Sequence, residues 1–295
     1  MRFFLNLVVL TSLTINLFIG CKQSRKADGE TTESAKTSAP IPYDLTKPTE
    51  RYDLTGDLTE VSGLSYYKPG RLALIQDELA VVFIFDLNQK RVVDEQIFGR
   101  KGDYEGVEFV NGELYALRSD GEIYHFTPSD GSVKMLGGGG AQVRHIKIGL
   151  PGKNDVEGLG YDPKLKALLL ATKDAASGSD RPIYYYGLEY GTMYKGPVLK
   201  QDDIKAFSDG GNDSGEVKPA GIAVHPKTGE YYILASDGHR LIVTKPNGTI
   251  LSSVGLDKQL FRQPEGICFA PDGTLFIASE GGKNENGYLL RFASN

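Results

Sequence analysis

The chain has 295 residues and a net charge of −5, from 33 Lys and Arg against 38 Asp and Glu. Apolar residues make up 40% and charged residues 24%, a globular composition. The acidic balance excludes the basic face with which a nucleic-acid binder displaces counterions. Two cysteines, Cys21 and Cys268, cannot build a disulfide framework or a cysteine-based zinc site, and the four histidines show no HxxxH or HExxH spacing.

In chain order, residues 1–20 (MRFFLNLVVLTSLTINLFIG) place one Arg before a mostly apolar stretch. This is a signal-peptide layout. Five polar residues interrupt it, so it is a poor membrane span, which needs about 20 predominantly apolar residues. Its end, Phe18-Ile19-Gly20-Cys21, resembles the lipobox of bacterial lipoproteins, although Phe18 stands where Leu is usual. The resemblance implies that Cys21 becomes a lipidated N-terminus and that the chain is exported and held on a membrane of the bacterial envelope, the outer membrane first. Residues 21–49 are rich in Ser, Thr, Lys, Glu and Pro and read as a flexible linker.

From residue 50 to 295 the chain repeats itself. Five segments, 62–87, 105–126, 157–188, 220–245 and 265–292, share one order: a polar residue, Gly, an apolar strand, a turn, a second apolar strand, a polar cluster and a third strand. The repeat glycines are Gly63, Gly106, Gly158, Gly221 and Gly266, at spacings of 43, 52, 63 and 45. A propeller blade occupies about 40–50 residues. Asp-Gly pairs at 120, 130, 209, 237 and 272 and Asn-Gly pairs at 111, 247 and 286 mark hairpin turns. Fourth strands follow at 91–98, 141–149, 196–200 and 248–256, while the fifth repeat lacks one. Residues 51–58 can supply it and so remove an open sheet edge. The expectation is an all-β, five-bladed β-propeller of four-stranded antiparallel blades, closed by an N-terminal strand. The long third interval leaves six blades as the alternative.

In a propeller the first strand of each blade lines a central channel. The residues just before the repeat glycines then form one column: Ser62, Glu105, Glu157, Ala220 and Glu265. Three converging carboxylates must either hold protons or hold a cation. Oxygen ligands suit Ca²⁺ first and Mg²⁺ second, with Glu105, Glu157 and Glu265 as metal ligands and Glu60, Asn154 and Asp155 nearby. The second strands end together in a polar rim that includes Asp77, Arg118, Lys173 and Glu280. These four are the expected ligand-binding residues, with Arg118 and Lys173 able to grip an anion and Asp77 the candidate catalytic base. Arg118 and Lys173 could equally be structural partners of the Glu column.

Three further features read as structural. Gly137–Gly140 does not match a phosphate loop. The tyrosines at 184, 185, 186, 190 and 194 suit cross-strand packing, with an aromatic contact surface as the alternative. Cys268 reads as an inert buried thiol.

The strings EVSGLSYY (60–67), YEGVEFVNGELYAL (104–117), NDVEGLGYDP (154–163) and QPEGICFAPDGTLFIASEGG (263–282) resemble the SdiA-regulated family of bacterial β-propellers and, more distantly, phytase-like and gluconolactonase-like propellers. The resemblance implies an envelope-located five-bladed propeller with a metal site in its channel and no settled reaction. The fourth repeat departs from it, with Ala220 in place of Glu. Two functions stand at this point. One is an envelope binding module whose partner is another envelope protein or a small anionic ligand. The other is a metal-dependent hydrolase of phosphoesters or lactones. No G-x-S-x-G motif accompanies His225, His239 and Asp237.

Overall fold

The computed structural model describes residues 36–129, 142–207, 216–282 and 285–294. The signal segment, Cys21, the first part of the linker, Asp130-Gly131, Asp209-Gly210 and Gly137–Gly140 lie outside the described residues.

Each repeat forms one antiparallel sheet in chain order. The first blade is β2 (Val61–Lys68), β3 (Arg71–Gln76), β4 (Val81–Asp86) and β5 (Arg91–Ile97). The second is β6 (Tyr104–Val110), β7 (Glu113–Arg118), β8 (Glu122–Phe126) and β9 (Arg144–Lys147). The third is β10 (Asp155–Asp162), β11 (Ala167–Asp174), β12 (Arg181–Gly187) and β13 (Thr192–Leu199). The fourth is β14 (Lys218–Val224), β15 (Tyr231–Asp237), β16 (Arg240–Thr244) and β17 (Ile250–Gly255). The fifth joins β18 (Pro264–Phe269), β19 (Leu275–Ser279) and β20 (Gly287–Phe292) to the N-terminal β1 (Glu50–Leu54). β1 runs antiparallel to β20, from Glu50 opposite Arg291 to Leu54 opposite Gly287. The protein is thus a five-bladed propeller closed by its N-terminal strand. The long third interval holds the short helix α1 (Gln201–Lys205) after β13.

The strand interiors are apolar on both faces because each blade is sandwiched between two others. In β3, Leu72 and Leu74 face the wedge shared with the fifth blade, while Ala73 and Ile75 face the wedge shared with the second. Five such wedges make up the core. A fully buried Leu or Ile contributes about 1.5–3 kcal/mol, so the wedges hold the ring together.

The first strands β2, β6, β10, β14 and β18 contact one another in a closed ring. The repeat glycines explain how closely they approach. A Cβ on Gly106 would lie 2.7 Å from the Leu159 Cβ of the next blade, and one on Gly221 would lie 2.6 Å from the Glu265 carbonyl oxygen. Turn chemistry also acts where the Asn-Gly pair predicted it: Asn111 and Gly112 both take positive φ, 52° and 85°, between β6 and β7.

The packed domain begins earlier than residue 50. Tyr43 and Leu45 are buried against the fourth and fifth blades. Tyr43 donates its hydroxyl proton to the Gly273 carbonyl at 2.7 Å, and Ser38 bridges to Ser253 on β17. Residues 36–49 are therefore a strap, because their few apolar side chains find a wedge that composition alone does not reveal. In the third blade, Tyr184 and Tyr185 are buried, and Tyr185 packs on Tyr194 across the strands at 5.2 Å, while Tyr190 is exposed.

Candidate functional site

The pairing of first with second strands slips at the same place in all five blades. The slips fall between Val61 and Gly63, Tyr104 and Gly106, Val156 and Gly158, Pro219 and Gly221, and Pro264 and Gly266. The residues skipped are Ser62, Glu105, Glu157, Ala220 and Glu265. A bulge bends its strand and re-aims the extra side chain. The column read from the sequence is therefore a ring of bulge residues. Ser62 uses its hydroxyl to donate to the Tyr104 carbonyl at 2.7 Å, which ties the first blade to the second.

The three glutamates sense one another. Burial, then the charges of Glu157, Asp103, Glu265 and Asp155, pushes the Glu105 carboxyl up to about 10. Burial also raises Glu265 well above its ordinary range, with Glu157 and Glu280 adding to it. Glu157 is pushed up to about 7 by burial, held there by its bond to Lys173. Two side chains from the polar rim join them. Glu280 rises to about 7 through burial and the charges of Asp77, Glu60 and Glu157, and burial raises Asp77. Asp155 is raised by burial as well.

One ammonium enters this group. Lys173 Nζ donates to Glu157 Oε1 at 2.5 Å. Burial opposes the charge on Lys173, but the bond to Glu157 and the fields of Glu157, Glu265 and Asp155 outweigh it. Glu157 Oε2 and Asp77 Oδ1 are buried with no hydrogen-bond partner. Such atoms each carry a desolvation cost of about 1–3 kcal/mol that a bound donor or cation would remove. Among the described residues, no three His, Cys, Asp or Glu side chains are grouped tightly enough to hold a metal ion by themselves.

The structure thus brings together Glu105, Glu157, Glu265, Glu280, Asp77 and Lys173. Arg118 stands apart from them. Its guanidinium donates to Asp120 at 3.0 and 2.7 Å and to the Tyr124 hydroxyl at 2.8 Å, and it pairs with Glu122 at 2.5 Å. Asn154 is occupied in its own loop, donating to the Pro151 carbonyl at 2.9 Å. Sequence reasoning missed Asp103, whose charge acts on Glu105, Asp77 and Asp155. It also missed the buried Arg181, which pairs with Glu216 at 2.6 Å and with Asp174 at 3.4 Å. Asp103 precedes its strand by one residue, so a search of strand starts would have found it. Nothing in the spacing signals Arg181.

The sequence profile of the SdiA-regulated family matches residues 49–283. No curated protein matches the chain. Among solved structures, a glutaminyl cyclase of Myxococcus xanthus superposes with a TM-score of 0.57 at 14% identity, over 84% of this chain and 95% of its own. The PQQ-bound aldose sugar dehydrogenase of Streptomyces coelicolor superposes with a TM-score of 0.50 at 13% identity, over 83% and 97%. These likenesses show the propeller fold alone.

Proposed function

The chain belongs to the SdiA-regulated family, and we propose that it is a ligand-binding module, lipid-anchored through Cys21 at the bacterial envelope, whose acidic channel mouth seats a cation. One observation carries this reading. Glu105, Glu157, Glu265 and Glu280 are all pushed toward their neutral form at one end of the channel, with a single ammonium, that of Lys173, bonded among them. A cation arriving there replaces protons and satisfies Glu157 Oε2 and Asp77 Oδ1.

The donor set is all oxygen, which suits a hard ion, so Ca²⁺ is the first candidate and Mg²⁺ the second. Glu105, Glu157 and Glu265 would hold it, with water completing the shell because they form no closed cage. A bound Ca²⁺ would neutralise the mouth and could offer a docking point for an anionic group of a partner. Lys173 competes with it for Glu157.

The test is thermal unfolding of the purified chain in EDTA and in millimolar Ca²⁺. A site at about 100 times its Kd adds roughly 2.7 kcal/mol, a rise of about 5–11 °C for a domain of this size. No rise with Ca²⁺, Mg²⁺ or Mn²⁺ would remove the cation seat. For the anchor, Cys21→Ala should move the chain from the membrane fraction to the soluble fraction; unchanged membrane association would remove the lipid.

A second reading, metal-dependent hydrolysis of a phosphoester or lactone, is favoured by Asp77, whose orphaned Oδ1 could take a proton. Against it, Arg118 and Lys173 are both already bonded. Turnover on phosphoester or lactone panels that disappears in Asp77→Asn would establish it.

A further inference from the structure

The channel has a second end, built by the same five strands. Two residues past each repeat glycine stand Ser65, Glu108, Gly160, Ala223 and Cys268. Four of these are small. Gly160 can carry no side chain at all, since a Cβ there would lie 2.6 Å from the Ile222 carbonyl oxygen. Two of the small residues, Ala223 and Cys268, border a cavity of about 230 Å³ that is lined also by Tyr66, Glu108, Tyr161, Val224 and Phe269. Its lining sets aromatic and aliphatic side chains beside the ionisable groups of Glu108, Asp162, Lys164, His225 and Lys227.

Glu108 is the handle. Its Oε1 accepts from Ser65 Oγ at 2.8 Å and from the Phe109 amide at 3.3 Å. Glu108 is half-buried, and no Lys or Arg pairs with its carboxylate among the described residues. Two other polar side chains of the lining, Asp162 and His225, are already bonded. Asp162 accepts from the amides of Lys164 and Leu165 at 2.8 and 3.1 Å and from the Tyr231 hydroxyl at 2.7 Å. His225 Nε2 bonds the Tyr43 hydroxyl at 3.0 Å, and its Nδ1 accepts from the Thr228 amide at 3.2 Å. Lys164 and Lys227 also line the cavity, on its exposed rim. Burial pushes the Glu108 carboxyl up to about 7, which an ammonium would reverse.

We propose that this cavity binds a small arylalkyl or alkyl amine, with its ammonium on Glu108 and its hydrocarbon against Tyr66, Tyr161 and Phe269. A carboxylate among aromatic rings recognises an ammonium twice, by charge and through the ring faces. This seat is separate from the acidic mouth. Glu105 and Glu108 lie three residues apart on β6, about 10 Å of extended chain.

The experiment is calorimetry of the whole protein with phenethylamine, phenethyl alcohol and phenylacetate. Phenethylamine should bind, and the alcohol and acid at least tenfold more weakly. Glu108→Gln should weaken the amine at least tenfold. Cys268→Leu, which fills the cavity without changing its charge, should also weaken it. Glu157→Gln, at the other mouth, should leave it unchanged. The proposal is overturned if phenethylamine does not bind at millimolar concentration, or if phenylacetate binds as tightly, which would assign the ligand to Lys164 and Lys227. It is equally overturned if a folded Glu108→Gln protein, verified by its melt, keeps full affinity, or if Glu157→Gln loses it.

Discussion

The two ends of the channel are made by the same five strands and differ in how those strands treat one position. At one end, a bulge before each repeat glycine turns an extra side chain out of the pairing, and three of the five are glutamates. At the other, regular pairing resumes, four of the five positions are small, and one glutamate, Glu108, stands beside a cavity. The acidic end holds several carboxyls that cannot all be charged, with one ammonium. The cavity end holds a single carboxyl and apolar walls. A repeated backbone device therefore crowds charge where the side chains are long and leaves volume where they are short.

The ring spacing that both ends share can be broken most severely. Gly221→Val would drive a side chain into the Glu265 carbonyl oxygen, a backbone atom that cannot swing away. The expected loss is about 3 kcal/mol or more, roughly 6–12 °C in the melting temperature or failure to fold. An unchanged melt would show that the first strands need not approach so closely.

Lys173→Met acts on the acidic end alone. It leaves Glu157, a buried carboxyl, without its ammonium. At pH 8 the protein should lose about 2 kcal/mol. Millimolar Ca²⁺ should recover that loss and give a larger rise than in the parent protein. If the Ca²⁺ response disappears instead, Lys173 organises the seat rather than competing for it.

The pH profile tests how the carboxyls are held. Glu157 and Glu280 lie near 7 in the folded protein against an ordinary 4.5. Below pH 4.5 both states hold these protons. Between 4.5 and 7 the unfolded chain ionises while the folded one keeps its protons, so stability falls as pH rises. Carboxylates with lowered values, such as Asp86 and Asp272, lose their contribution only at more acidic pH, which leaves the window from 5 to 8 to the raised groups. A drop of several kcal/mol across that window is expected in EDTA, reduced but not abolished in a Glu157→Gln, Glu280→Gln double variant, because Glu105 and Glu265 also keep their protons there. A melt that rises from pH 5 to 8 would show these groups to be charged and paired.

The smallest effect belongs to Arg118→Lys. Its partners Asp120, Glu122 and Tyr124 lie on its own hairpin. The cost should be about 1 kcal/mol or less, and the Ca²⁺ response should not change. A lost response would bring Arg118 into the acidic group.

Much of this was readable in advance, and particular residues show where reading stops. The glycine spacing and the Asn-Gly and Asp-Gly turns mark the blades, and residues 51–58 mark the closing strand, because these are local rules repeated five times. Glu105, Glu157 and Glu265 form a visible column for the same reason. Arg118 and Lys173 both end second strands, but Arg118 pairs with Tyr104 as Thr172 pairs with Val156, so Lys173 stands one residue further on and on the other face of its strand. That one-residue offset lets Lys173 bond Glu157 while Arg118 bonds Asp120 and Glu122, and only the strand pairing, with its bulge before each repeat glycine, sets it. Tyr43 sits in a polar stretch that composition reads as linker, and only the wedge it fills explains it.

By itself, then, the amino-acid sequence determined the architecture: five units that each hide two apolar faces, a glycine wherever two first strands meet, and a terminal strand to close the ring. Tertiary structure decided the chemistry. Bulges re-aimed the glutamates, burial raised their affinity for protons, and the short side chains of Ala223 and Cys268, from separate blades, border a cavity beside Glu108. Pairing rules act between neighbours in the chain and so can be read from it, whereas desolvation and empty volume exist only once distant strands have packed.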